Sequence, residues 1–185
     1  LLAQNVINVT DTAFLGRVGE VELGASAMGG LYYICAFTIA FGFSTGSQII
    51  MARRNGERDY KEVGPVMVQG VFFLFMLAAV MFTLSRLFSG DIMRLLVSSD
   101  TILDATEEFL DWRVFGFFFS FVNVMFRALF IGITRTKVLT LNAIVMALTN
   151  VLLDYLLIFG NCGFPELGIK GAAIASVMAE AVSTV

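Results

Sequence analysis

Long charge-free runs constrain this chain more than any other feature. No Asp, Glu, Lys or Arg occurs from Leu23 to Ala52, and none from Val63 to Ser85. A bilayer's hydrocarbon core is crossed by about 20 apolar helical residues. A helix on the surface of a soluble domain keeps one polar face, and these runs offer none. They are too long for strands, and their polar positions do not alternate with period two. The residue balance agrees: 58% hydrophobic and 15% charged, against about 45–50% and about 25% in soluble domains. The predicted class is all-α, a polytopic membrane helix bundle.

Two further runs complete the pattern. One lies between about Leu103 and Ile133, acidic at its start and apolar from Val114 to Phe126. The other extends from Val138 to about Gly160 and is broken only by Asp154. Partial spans precede Arg17 and follow Gly168, giving about six transmembrane helices with the first and last truncated. The expected links are "LGRVGEVELG", "RRNGERDYKEVG", "SGDIMRLLVSSD", "GITRTK" and "GNCGFPELGIKG", each rich in breakers or charge. No flexible linker divides the chain, so residues 1–185 read as one domain. Both ends lie inside apolar stretches, and no basic segment precedes the first of them. The expectation is a fragment of a longer polytopic protein, without a visible signal peptide.

Arg53, Arg54, Arg58, Lys61, Arg127, Arg135 and Lys137 cluster at one predicted end of the bundle. Arg17, Arg86, Arg94 and Lys170 fall at the other. The bias makes the first group cytoplasmic. No basic patch is interleaved with aromatics, so nucleic acid is not an expected partner. His is absent, removing the commonest zinc ligand. Cys35 and Cys162 lack metal-ligand spacing, and their predicted separation across the bilayer opposes a disulfide. The P-loop, GxSxG, HExxH and GxGxxG patterns are all missing. Two membrane aspartates suggest an intramembrane aspartyl protease, yet neither "NVTDTAFLG" nor "LLDYLLIFG" carries that class's signatures. The chain is not expected to be an enzyme or to need a cofactor beyond a coupling ion.

Ionisable groups inside spans are costly and ordinarily face a bundle interior or a cavity. Asp11 lies about 9 Å along its helix from Arg17, and Asp154 about 9 Å from Gly160. Ser176 lies about 12 Å into a last helix that begins near Gly168. Three helices thus bring polar oxygens to a similar depth, nearer the outer face. Asn150 precedes Asp154 by four residues and shares its helix face. Asn5 and Asn8 form a stripe with Asp11. A lone intramembrane Asn or Ser is ordinarily interhelical glue. Two aspartates at matched depth, one with an amide on its own face, point instead to a site for a cation or a proton. Oxygen donors suit a hard cation such as Na+, and a carboxyl in this setting can also hold a proton. Glu180 lies deeper, as a candidate cavity residue. Asp111 and Arg113 read as interfacial, and Phe117, Phe118 and Phe119 as packing or lipid-facing residues. Counted together, the internal charges are mostly acidic.

"NVTDTAFLGRVGEVELGASAMG" resembles the first-helix signature of the multidrug and toxic compound extrusion (MATE) transporters, and "GFSTGSQIIMARRNGERD" resembles their second-helix end. "RALFIGITRTKVLTLNAIVMALTNVLLDYLLIFGNCGFPELGIKGAAIAS" resembles the fourth-to-sixth helix region. The likeness runs along nearly the whole chain in order. It implies one lobe, the N-terminal one, of a twelve-helix two-lobe transporter, with the C-terminal lobe absent here. It further implies antiport by alternating access in a multi-pass bacterial inner membrane protein. Organic cations or other amphipathic, drug-like compounds would leave in exchange for Na+ or H+. By this resemblance Asp11, Asn150 and Asp154 match the N-lobe coupling site, and Ser176 matches a hydroxyl position on the sixth helix. The alternative is a lipid or lipid-linked oligosaccharide flippase of the same superfamily. The coupling ion, the substrate, the oligomeric state and the conformation are not specified by the sequence.

Overall fold

A computed structural model describes residues 2–184, with the side chains of residues 2–8 and of Cys162 outside the described set. The Asn5–Asn8 part of the predicted stripe and the Cys162 half of the disulfide argument therefore lie outside the described residues. Among those described, α1 (Leu2–Val18), α2 (Glu20–Gly56), α3 (Tyr60–Leu96), α4 (Asp100–Arg113), α5 (Gly116–Gly132), α6 (Lys137–Leu157) and α7 (Gly168–Thr184) form the bundle. A 3-10 turn, Asn161–Gly163, joins the last two.

α2, α3 and α6 are each long and apolar enough to cross a membrane. α4 and α5 qualify together as a fourth span, bent by 55° at the break between them. α1 and α7 are shorter, with 17 residues each. The structure thus keeps the six expected helices but breaks the third complete one. Its acidic first half, Asp100–Arg113, is a separate segment from the apolar Gly116–Gly132. Two expected links are also corrected. "SGDIMRLLVSSD" continues α3 as far as Leu96, and "LGRVGEVELG" contains a single non-helical residue, Gly19. α2 and α3 have 37 residues each. At 1.5 Å per residue each is about 55 Å long and overruns the ~30 Å hydrocarbon core. Charge in those sections marks the part of a helix outside the apolar layer, and the helix itself continues.

Packing follows the membrane rule that small residues let helices approach closely. Ala36, Ala40, Ala78 and Ala128 sit in one core with Leu74, Phe117, Phe121 and Met125, where α2, α3 and α5 meet. Ala25, Met93, Phe109, Leu110 and Ala173 form a second core joining α2, α3, α4 and α7. Leu15, Ile158 and Ala172 tie α1 to the α6–α7 hairpin. That hairpin is closest at Gly171, where a Cβ atom would lie 2.6 Å from the Leu157 carbonyl oxygen. Large apolar side chains point outward instead: Ile39, Phe72, Phe73, Phe75 and Leu87 are all exposed. A soluble protein would hide such residues, whereas lipid tails accept them.

Gly132 packs against the backbone of α2 at Gln48 and Ala52. The C-terminal ends of α2 and α5 therefore lie together. The basic segments at those ends, one from Arg53 and one from Arg135, share one end of the bundle, as their charge predicts.

Candidate functional site

A cavity of about 710 Å³ runs between α1, α2, α4, α5, α6 and α7. Along α2 it is lined from Leu23 to Phe37, the half of the helix away from the basic loops. Asp11, Asn150, Ser176 and Glu180 all line it, so four predicted residues share one space.

Asp154 lies just behind that wall. It is fully buried and Asn150 is 1% exposed, because their common face of α6 turns toward α1 and α7. With its amide nitrogen turned to the carboxyl groups, Asn150 donates to Asp11 Oδ1 at 3.0 Å and to Asp154 Oδ2 at 3.3 Å. The two carboxyls also meet directly, within reach of a hydrogen bond when either carries a proton. Asp154 Oδ1 is buried and has no hydrogen-bond partner among the described residues. Turned the other way, the Asn150 amide would add its own oxygen to the two carboxyls. Three converging oxygens require a cation or protons between them. The donor set fits either a hard monovalent cation or a shared proton. Ser176 lines the cavity from α7.

A second cluster, missed in part from sequence, occupies another stretch of the wall. Arg113 donates to Glu180 through both terminal nitrogens, at 3.0 Å and 2.6 Å. Tyr33 donates to Glu180 Oε2 at 3.1 Å, and its oxygen lies 2.7 Å from Ser120 Oγ. The Arg113 guanidinium carbon stands 3.6 Å from the Tyr33 ring centre, and Phe117 stacks under the same ring at 4.8 Å. Arg113 and Glu180 have side chains only 13% and 7% exposed.

The interfacial reading of Arg113 is therefore wrong, although it holds for Asp111, which pairs with Arg86 at exposed positions. The difference is the α4–α5 bend, which follows Arg113 directly. Gly116 then makes room, since a Cβ there would collide with Arg113, Glu180 and the Tyr33 hydroxyl. Sequence offered one signal, a glycine three residues after an arginine inside an aromatic run, and it is weak. The Phe run divides. Phe117 is buried beneath Tyr33, Phe118 packs against Phe75 and Phe82, and Phe119 is partly exposed.

Arg127 also lines the cavity, 5.5 Å from the Phe41 ring centre, and forms no ion pair with another described residue. The wall thus carries Arg113 and Arg127 beside Asp11 and Glu180. It is balanced in charge, not mostly acidic as the sequence count implies. Counting residues in spans overlooked both arginines, because one lies at a break and the other near a helix end.

The MatE family model matches residues 1–156. The chain belongs to the MatE family. That is a family of transporters, not of enzymes, and the apolar helices make this chain an integral multi-pass membrane protein. It is 29% identical over 177 residues to a probable multidrug resistance protein NorM of Rhizobium meliloti (strain 1021), covering 95% of this chain and 38% of that one. A probable NorM of Agrobacterium fabrum is 27% identical over 183 residues, with 98% and 39% covered. Among solved structures, a multidrug resistance MATE family transporter of the MOP superfamily matches in its outward-facing conformation with TM-score 0.90. Its inward-facing conformation matches with TM-score 0.89. Both are 19% identical and cover 98% of this chain and 40% of theirs, a likeness of fold. The chain spans about two-fifths of the length of these relatives, as expected for one lobe of two.

Proposed function

We propose that this chain is the N-terminal lobe of a secondary multidrug antiporter in a bacterial inner membrane. The whole protein exports organic cations or other amphipathic, drug-like compounds and exchanges them for Na+ or H+ by alternating access. One observation carries the reading: Asn150 bridges two carboxyls, Asp11 and Asp154, on two different helices at the wall of a cavity large enough for a small molecule. Neutralising the pair with a cation or proton removes repulsion between α1 and α6. Without it, their packing is strained by like charge. A ligand that acts on one packing more than another shifts the balance between states, which is what coupling requires. Membrane lipid surrounds the lobe, and the C-terminal lobe supplies the rest of the pathway.

The test is efflux of a fluorescent cation from proteoliposomes holding the full-length protein, under a Na+ gradient and, separately, a pH gradient. Movement driven by one gradient names the coupling ion. Asp154→Asn should abolish that movement while leaving insertion intact. Undiminished efflux would remove the pair from the mechanism. A flippase for lipids or lipid-linked oligosaccharides is the second reading, favoured by Arg127, whose exposed guanidinium suits an anionic headgroup. Scrambling of a labelled anionic lipid, with no movement of the cation, would select it.

A further inference from the structure

The Tyr33–Arg113–Glu180 cluster has the composition of a site for an organic cation, with a cation already in it. Recognition of such ligands uses an aromatic face and an opposing negative charge. Here the face is Tyr33, braced from below by Phe117, and the charge is Glu180. The occupant is the chain's own guanidinium, 3.6 Å from the ring centre and bidentate on the carboxylate.

Stability alone gives little reason for the arrangement. A buried ion pair loses the hydration of both charges, and apolar residues of similar size often serve as well or better. All three side chains border the cavity, so each can be approached by a molecule held there. The backbone is also shaped for the cluster, since Gly116 is the only residue type that leaves it space.

We propose that Tyr33 and Glu180 form a subsite for planar, delocalised organic cations, which Arg113 occupies as an internal surrogate until substrate displaces it. The inference rests on the exporter reading above and names where the cationic group of its substrate docks. Arg113 lowers the apparent affinity by the fraction of time it holds the subsite. In return, the carboxylate is never left bare when the cavity is empty. On displacement the guanidinium swings into the cavity, where Asp11 is the other carboxylate on the lining wall.

Equilibrium binding of ethidium to the purified full-length protein tests this, read by fluorescence anisotropy. Arg113→Ala should tighten binding by about tenfold, because the self-competition disappears. Millimolar guanidinium chloride should then compete with ethidium in that variant and not in the wild type. Glu180→Gln should weaken binding, and the double variant should bind as weakly as Glu180→Gln alone. Arg113→Lys keeps a charge opposite Glu180 and so protects folding if the alanine variant is lost. Its ammonium covers the ring less well, and ethidium should bind about threefold more tightly. Unchanged or weaker binding in the folded arginine variants, or no effect of guanidinium, overturns the proposal. Wild-type protein that pumps ethidium while those variants bind it no better overturns this inference alone. Wild-type protein that neither binds nor moves ethidium overturns the exporter reading with it.

Discussion

The two polar clusters on the cavity wall differ in how far each satisfies itself. Around Glu180, both carboxylate oxygens accept from Arg113 and Tyr33, and Ser120 closes the chain. Around Asp154, one amide serves two carboxyls and one buried oxygen has no partner among the described residues. A buried polar group without a partner is expensive, and a buried charge more so. The first cluster therefore pairs its charges among its own residues, whereas the second leaves one carboxylate oxygen unpaired among the described residues. Completeness of pairing separates them better than a count of charges in spans, which weighs Glu180 and Asp154 alike.

The strongest way to break this contrast is to remove the need for a visitor. Asp11→Asn, like Asp154→Asn, should reduce ion-driven efflux by the full-length protein to background with normal membrane insertion. Wild-type coupling in the Asp11 variant would show that the two carboxyls do not act as one site. Filling the self-satisfied cluster should instead act on stability. Gly116→Val places a branched side chain where Arg113, Glu180 and Tyr33 meet. Overpacking of this kind costs about 1–3 kcal/mol, visible as a lower thermal midpoint in detergent. An unchanged midpoint would mean that the cluster is looser than its distances imply.

Asn150→Ala sharpens the comparison by taking away the one bridge between the aspartates. Losing a buried hydrogen bond of this type costs about 1–3 kcal/mol. Half-maximal efflux should then require about tenfold more of the driving ion, measured as its concentration dependence, while the maximal rate survives. Phe117→Leu should have a smaller effect, removing the ring stacked under Tyr33 at a cost of about 0.5–1.5 kcal/mol beyond its area. Denaturation of the purified protein would read it. Glu57→Gln is the null comparison at the far end of the bundle. Hydrogen bonds from Arg53 and Arg54 hold the Glu57 carboxyl below its ordinary pKa, yet all three side chains are substantially exposed. Solvent screens such pairs, so neither stability nor efflux should change measurably.

Much of the fold was legible in one dimension, because lipid imposes a one-dimensional rule. A helix satisfies its own backbone, so span-length apolar runs such as those following Glu22 and Glu62 suffice to announce membrane helices. Boundaries were less legible. Arg86, Asp91 and Arg94 look like a loop, yet α3 continues through them, since a helix that has left the apolar layer meets no penalty for charge. The aspartate cluster was also partly visible, because the four-residue spacing of Asn150 and Asp154 is a property of a single helix. Asp11 joined it through a matched depth, which is arithmetic on helical rise.

The sequence by itself determined the class of the protein, the order of its apolar segments, its basic end and the elements of the aspartate cluster. Only the tertiary structure decided that Asn150 reaches both carboxyls, that α4 and α5 break at 55°, and that Arg113 turns inward to Glu180. The physical reason is the range of the interactions involved. Hydropathy and helical periodicity act within one segment, but Arg113 and Glu180 are 67 positions apart. What joins them is a bend whose cost and direction are set by the helices packed against it.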